Sequence, residues 1–143
     1  MKIAMGSDHR GFKLKIALIK YLESKGHTVE DFGTDSLDSC DYPRYAKAVA
    51  QGVADKKFDR GILICNSGVG MEMAANKLKK VRAVNCLNIS MAKYSRLHNN
   101  ANVLVFGAAF IKPALAKRMT NVWLNTEFEG GRHQKRVKMF SDL

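Results

Sequence analysis

The segment Gly61-Ile62-Leu63-Ile64-Cys65, followed at once by Asn66-Ser67-Gly68-Val69-Gly70, constrains this chain more than any other feature. A strand with no polar alternation has no face to give to water, so it belongs in a sheet covered on both sides, which is characteristically parallel. The turn leads directly into Met71, Ala74, Ala75 and Leu78 at helical spacing. The same grammar runs along the chain. Lys2 to Gly6 reads as a strand, and Leu14, Leu18, Tyr21 and Leu22 as the stripe of a helix ended by Gly26. Thr28 to Phe32 is a second strand stopped by Gly33. Asp41-Tyr42-Pro43, an acidic cap with proline in the first turn, opens a helix whose stripe is Ala46, Val49, Ala50 and Val53. Arg82 to Cys86 and Val103 to Phe106 are further strands. Helices follow them around Met91 to Leu97 and over Leu115, Met119, Val122 and Trp123. Five βα units in series predict an α/β fold: a doubly wound, five-stranded parallel sheet (Rossmann-like), helices on both faces, and a C-terminal helical tail. The 143 residues, without repeat or linker, fit a single domain spanning 1–143.

In an open doubly wound sheet, ligands bind beyond the carboxyl ends of the strands where strand order reverses. For the common order 2-1-3-4-5 that crevice lies between strands one and three. The loops there are Gly6-Ser7-Asp8-His9 and Cys65 to Gly70. Gly68 and Gly70 allow backbone N–H groups to turn inward before a helix, forming a cradle for negative charge. The same environment favours a thiolate at Cys65. A thiolate beside such a cradle suits proton abstraction next to a carbonyl, where an enediolate forms. The plainer reading of Cys65 also stands, because free cysteine is among the most buried residue types. Glu72, one turn into the following helix, either tunes that thiolate or merely supports the helix start.

Other motifs exclude function classes. Gly68-Val69-Gly70 begins a dinucleotide fingerprint but has Met73 at its final position and follows the third strand. There is no phosphate-binding P-loop, so no nucleotide cofactor is expected. His9, His27, His98 and His133 lack metal-ligand spacing, so no metal is expected either. Three cysteines without paired spacing predict a reduced, cytosolic protein. No apolar stretch approaches the ~20 residues of a membrane span, and Asp8-His9-Arg10 breaks the only N-terminal apolar run. The net charge of +11 points to anionic partners. Nucleic acid is disfavoured, because no interleaved aromatics or binding motif accompany the charge. Lysines such as Lys13, Lys15 and Lys20 read as solvated helix faces. Arg132 and Arg136 are four residues apart; on a helix they share one face and grip a phosphate, or else they belong to a solvated basic tail. His98 is either an acid–base group or a complement to the end of its helix.

Taken together, Gly6-Ser7-Asp8-His9, Asp41-Tyr42-Pro43, Cys65-x-Ser67-Gly68-x-Gly70, Ala74-Ala75-Asn76-Lys77, Arg82-Ala83, His98-Asn99-x-Ala101-Asn102-Val103 and Gly130-Gly131-Arg132-His133 form an ordered set. With these the chain resembles, over its whole length, the type B ribose-5-phosphate isomerases. The wider family includes allose-6-phosphate and galactose-6-phosphate isomerases. The resemblance implies an aldose–ketose isomerase that interconverts ribose 5-phosphate and ribulose 5-phosphate. Cys65 is then the base, His98 opens the furanose ring, and Asn66, Ser67, Gly68, Val69 and Gly70 form the anion hole. Asp8, His9 and Asn99 contact substrate, while Arg132 and Arg136 bind its phosphate. It also implies a homodimer, or paired dimers, with sites between subunits and the C-terminal segment reaching across.

Two positions depart from the family pattern. Asn66 stands where glycine is usual, and Ala109 where a phosphate-binding arginine is expected, with Lys112 nearby. The alternatives are the same chemistry on a six-carbon sugar phosphate, or a non-catalytic sugar-phosphate binder. The presence of both Cys65 and His98 speaks against a pure binder. Phe12, Ile16 and Ile19, lying off the first helix's stripe, widen its apolar arc and predict a partner surface there.

Overall fold

Strands and helices alternate from β1 to α5 in the computed structural model, which describes residues 1–143. The order is β1 (Lys2–Ser7), α1 (Phe12–Ser24), β2 (Thr28–Asp31), α2 (Tyr42–Ala54), β3 (Arg60–Cys65), α3 (Val69–Ala75), β4 (Ala83–Asn85), α4 (Ile89–Asn99), β5 (Val103–Gly107), α5 (Pro113–Leu124) and α6 (Arg132–Lys138). A 3-10 turn over Met139–Asp142 ends the chain. Side-chain parity along β3 sorts two cores. Ile62 and Ile64 face α1, α4 and α5, whose Leu18, Ala92 and Trp123 are buried with them. Leu63 and Cys65 face α2 and α3, against Val49 and Met71.

All pairings are parallel, in the order β2-β1-β3-β5-β4. The last two strands are exchanged relative to the common order. Burial explains it: every residue of β5 is buried, so it requires neighbours on both sides, whereas β4 is three residues long and half-exposed at its far end. Order still reverses between β1 and β3, so the crevice stays where the sequence places it. The open edge of β4 is covered by α3. Asn76 donates from Nδ2 to the Ala83 carbonyl at 2.9 Å and accepts the Ala83 N–H at 2.8 Å. Glu72 Oε1 accepts the Asn85 N–H at 3.0 Å. Four residues of helix rise about 6 Å and two of strand about 6.6 Å, so the spacings match and the edge is closed to further pairing. Glu72 therefore anchors a strand, a third role beside the two read from sequence.

Other expectations are corrected. Lys15 is not on a solvated face; it is 1% exposed, its Nζ donating to Asp31 Oδ2 at 2.6 Å and to the Thr34 carbonyl at 2.5 Å. Asp41 precedes α2 with extended backbone but its side chain makes no capping bond, so Pro43 alone sets the first turn. The wide arc on α1 is mostly internal: Ile19 packs against the core, Phe12 is half-buried, and only Ile16 is exposed. Exposed apolar side chains lie elsewhere, at Val69 and Met73 on α3, Leu87 just before α4, Met91 and Tyr94 on α4, and Phe110.

Candidate active site

The carboxyl ends of β1 and β3 carry the first group of candidate residues. The Asp8 N–H donates to the Ile64 carbonyl at 3.3 Å, joining the two loops. Asp8 is buried, and its Oδ1 accepts the Arg10 and Gly11 N–H groups at 2.9 and 3.1 Å. That bonding fixes the carboxylate at the start of α1. His9 Nδ1 accepts the Cys40 N–H at 3.2 Å, with Cys40 Sγ 3.8 Å away. An accepting Nδ1 leaves the proton of the neutral ring on Nε2. Cys65 is 5% exposed, and its Sγ accepts the Gly68 N–H at 3.2 Å. Gly68 has φ +81°, a conformation that glycine adopts without strain. Ser67 Oγ accepts the Val69 N–H at 3.3 Å. Asn66 is exposed and does not have positive φ, so the turn takes asparagine in place of glycine without backbone strain. Its carbonyl and that of Cys65 accept the Ala109 and Ala108 N–H groups, so the segment after β5 backs the loop.

A second group gathers at the other edge of the sheet. His98 lies in the last turn of α4, which runs back from the carboxyl edge before β5 begins. Eleven helical residues span about 16 Å, so Cys65 and His98 of one chain lie at opposite ends of the fold. The His98 ring stacks on His133, centroids 4.2 Å apart and 12° from parallel, and Tyr94 lies tilted against His98 with centroids 5.0 Å apart. Glu129 Oε2 lies 3.8 Å from His98 Nε2 and 4.0 Å from His133 Nε2. His133 is buried and its Nε2 has no partner. Burial and the neighbouring His98 hold its pKa below the ordinary histidine value. Asn99 is exposed beside this group. Arg132 and Arg136 project from α6 one turn apart, exposed and without ion-pair partners.

Sequence spacing pointed away from any metal-ligand cluster, yet His98, Glu129 and His133 bring ligand atoms within 4.8 Å of one another. Near-parallel rings direct their lone pairs side by side rather than at one point, a poor fit to tetrahedral coordination. The arrangement suits a histidine kept in one orientation beside a carboxylate.

The sequence matches the family described as Ribose/Galactose Isomerase over residues 3–140. It is 48% identical to ribose-5-phosphate isomerase B of Escherichia coli, across 99% of this chain and 95% of that one. The fold superposes on a ribose 5-phosphate isomerase from Thermotoga maritima with a TM-score of 0.97. That comparison has 45% identity and covers 99% of this chain and 98% of the other. A D-erythrulose-4-phosphate isomerase of Pectobacterium atrosepticum is 40% identical, over 96% of this chain and 91% of its own. The chain belongs to the ribose/galactose isomerase family.

Within this family member, sequence reasoning missed Glu129 and His133 as companions of His98. Their spacing of four residues across Gly130-Gly131 was the available signal. It also missed Cys40 beside His9, and Asn85, whose Nδ2 donates to the Ser67 carbonyl at 3.0 Å. No helix is long and apolar enough to cross a membrane, and all three cysteines are free.

Proposed function

We propose that the chain interconverts ribose 5-phosphate and ribulose 5-phosphate, as a cytoplasmic homodimer whose two sites each draw on both subunits. The observation that carries this reading is the division of the candidate residues. Asp8, His9 and the Cys65–Gly70 loop occupy one edge of the sheet, while His98, Asn99, Arg132 and Arg136 occupy the other. A two-fold axis that packs α4 against its copy in antiparallel fashion joins unlike ends. Met91, Tyr94 and His98 form one stripe of that helix. Asn85, four residues ahead of α4, holds the Ser67 carbonyl, and in this pairing the partner subunit's His98 faces the Cys65 of this chain. An isologous pairing of this kind makes two complete sites at once.

In that site Arg132 and Arg136 hold the phosphate by charge-assisted hydrogen bonds. His98 donates a proton to the ring oxygen, the C1 hydroxyl gives its own to water, from which His98 is reprotonated, and the open aldehyde results. The Cys65 thiolate takes the proton from C2. The released electron pair forms the C1–C2 double bond, and charge moves to the C1 oxygen, opposed by those backbone N–H groups of the Asn66–Gly70 turn that Cys65 Sγ and Ser67 Oγ leave free. A proton passes from the C2 hydroxyl to the C1 oxygen, the Cys65 thiol returns its proton to C1, and the ketose leaves with the thiolate restored. Every step is proton transfer, so the chemistry calls for no cofactor.

A second reading keeps this chemistry and changes the sugar. Ala109 supplies no cation beside the loop, and Lys112 is exposed nearby, so the pocket differs where the substrate's far end is held. The test is turnover across four-, five- and six-carbon aldose phosphates, with exchange of the C2 hydrogen into solvent. Fastest turnover on ribose 5-phosphate, abolished in Cys65→Ser together with the exchange, supports the first reading. A Cys65→Ser protein that still exchanges most of its C2 hydrogen removes Cys65 as the base.

A further inference from the structure

The Ser67–Gly68 peptide is gripped from both sides. Its N–H donates to Cys65 Sγ at 3.2 Å, and its carbonyl accepts from Asn85 Nδ2 at 3.0 Å. A trans peptide is planar, with N–H and C=O pointing in opposite directions, so fixing the carbonyl aims the N–H. The same carbonyl sits against Gly107 at the end of β5, where a Cβ would come within 2.5 Å of it. Asn85 Oδ1 faces Gly68, where a Cβ would likewise come within 2.5 Å. The opposite amide orientation would set two carbonyl oxygens against each other, so this orientation is the one the contacts allow.

The end of β4 does not need this amide for its own stability. The Asn85 backbone N–H is already held by Glu72. Asn85 Oδ1 is buried without a partner, which costs stability. Valine would suit a half-buried strand end better on packing grounds. What the amide alone supplies is the donor to Ser67.

We propose that Asn85 is a positioning residue for the proton-transferring cysteine. By holding the Ser67 carbonyl it keeps the Gly68 N–H directed at Cys65 Sγ, with Glu72 setting the place of Asn85. Released, that peptide is free to turn over and present its carbonyl oxygen to the sulfur, which repels a thiolate. The inference rests on Cys65 acting as the base, and it concerns a residue outside both groups of candidate site residues.

The test reads the thiolate directly, as the 240-nm absorbance of the full-length protein titrated with pH. The signal is taken as the difference from Cys65→Ser in the same background. In Asn85→Val the pH of half-development should rise by about one unit, up to about a tenfold loss of thiolate at neutral pH, within what one hydrogen bond to a charged group contributes. Turnover should fall by a similar factor. Asn85→Asp replaces the donor with an acceptor and should shift the midpoint at least as far. Asn76→Ala is the control, since Asn76 holds the other end of β4 without touching Ser67. It should lower the melting temperature and leave the midpoint unmoved. A folded Asn85→Val with the wild-type midpoint overturns the proposal, as does an equal shift in Asn76→Ala. Should Asn85→Val not fold, the pH-dependent shift of the Gly68 amide proton in Asn85→Asp decides, and its persistence at wild-type size refutes the proposal. Active Cys65→Ser with a shifted Asn85→Val midpoint would instead sink the assignment of Cys65 while keeping the brace.

Discussion

If each site takes Cys65 from one subunit and His98 from the other, two inactive variants must restore activity on mixing. Cys65→Ser leaves both sites of its dimer without a base, and His98→Asn leaves both without the ring-opening histidine. In the mixed dimer one site carries both changes and the other carries neither. Random equimolar assortment gives half mixed dimers, each with one intact site of two, so about a quarter of wild-type activity should return. The separation that forces this is structural: α4 alone is eleven residues, about 16 Å, between the loop that holds Cys65 and the turn that holds His98. No side-chain motion closes such a gap. The assay is ribose 5-phosphate turnover after co-refolding the two variants, with mixed dimers counted by native mass spectrometry. The ribulose 5-phosphate direction is an internal check, since it needs no ring opening and should run in His98→Asn homodimers. Mixed dimers present in quantity with activity no greater than the sum of the parents would refute the shared site. Substantial turnover by a monomeric fraction would refute it too.

Arg136→Ala should raise KM for the phosphorylated sugar by at least about tenfold, the effect of losing one charge-assisted bond; Lys112→Ala in parallel shows whether that lysine replaces the arginine absent at Ala109. Lys15→Met should lower the urea-unfolding free energy by about 2 kcal/mol, because the buried Thr34 carbonyl loses its donor while Asp31, 36% exposed, is partly rescued by water. The lowered pKa of His133 makes its neutral form the one that favours folding. That stability is complete above the ordinary histidine value of 6.5 and is lost as pH falls through the lower folded value. The melting temperature should therefore drop on acidification below about pH 6.5, and His133→Gln should flatten that drop; an unchanged slope would show that another group carries it.

The strands could be read because β3 and β5 are apolar throughout, and the Cys65 loop because its parts are consecutive in sequence. What escaped reading depends on distance along the chain. Asn85 lies 18 residues from Ser67 and Glu72 lies 13 from Asn85, so no local pattern announces the brace. Lys15 carries the charge of a surface residue but sits one position after Leu14, on the flank of the stripe. Only the approach of Asp31 and Thr34 makes that position internal. The exchange of β4 and β5 follows from relative burial, which a three-residue strand does not advertise.

The division of the site was nevertheless implicit in the periodicity. A residue ending a strand and a residue ending a helix of the same parallel βα array lie at opposite edges of the sheet, because each helix reverses the direction of its strand. Cys65 ends β3 and His98 nearly ends α4. The proposed mechanism, which uses both, therefore draws on a second chain, and the prediction of a partner belongs with that topology. The apolar arc of α1, from which the sequence argument drew a dimer, is largely spent on the core. In the proposed dimer, the exposed stripe of α4 is the surface that brings one subunit's histidine to the other's cysteine.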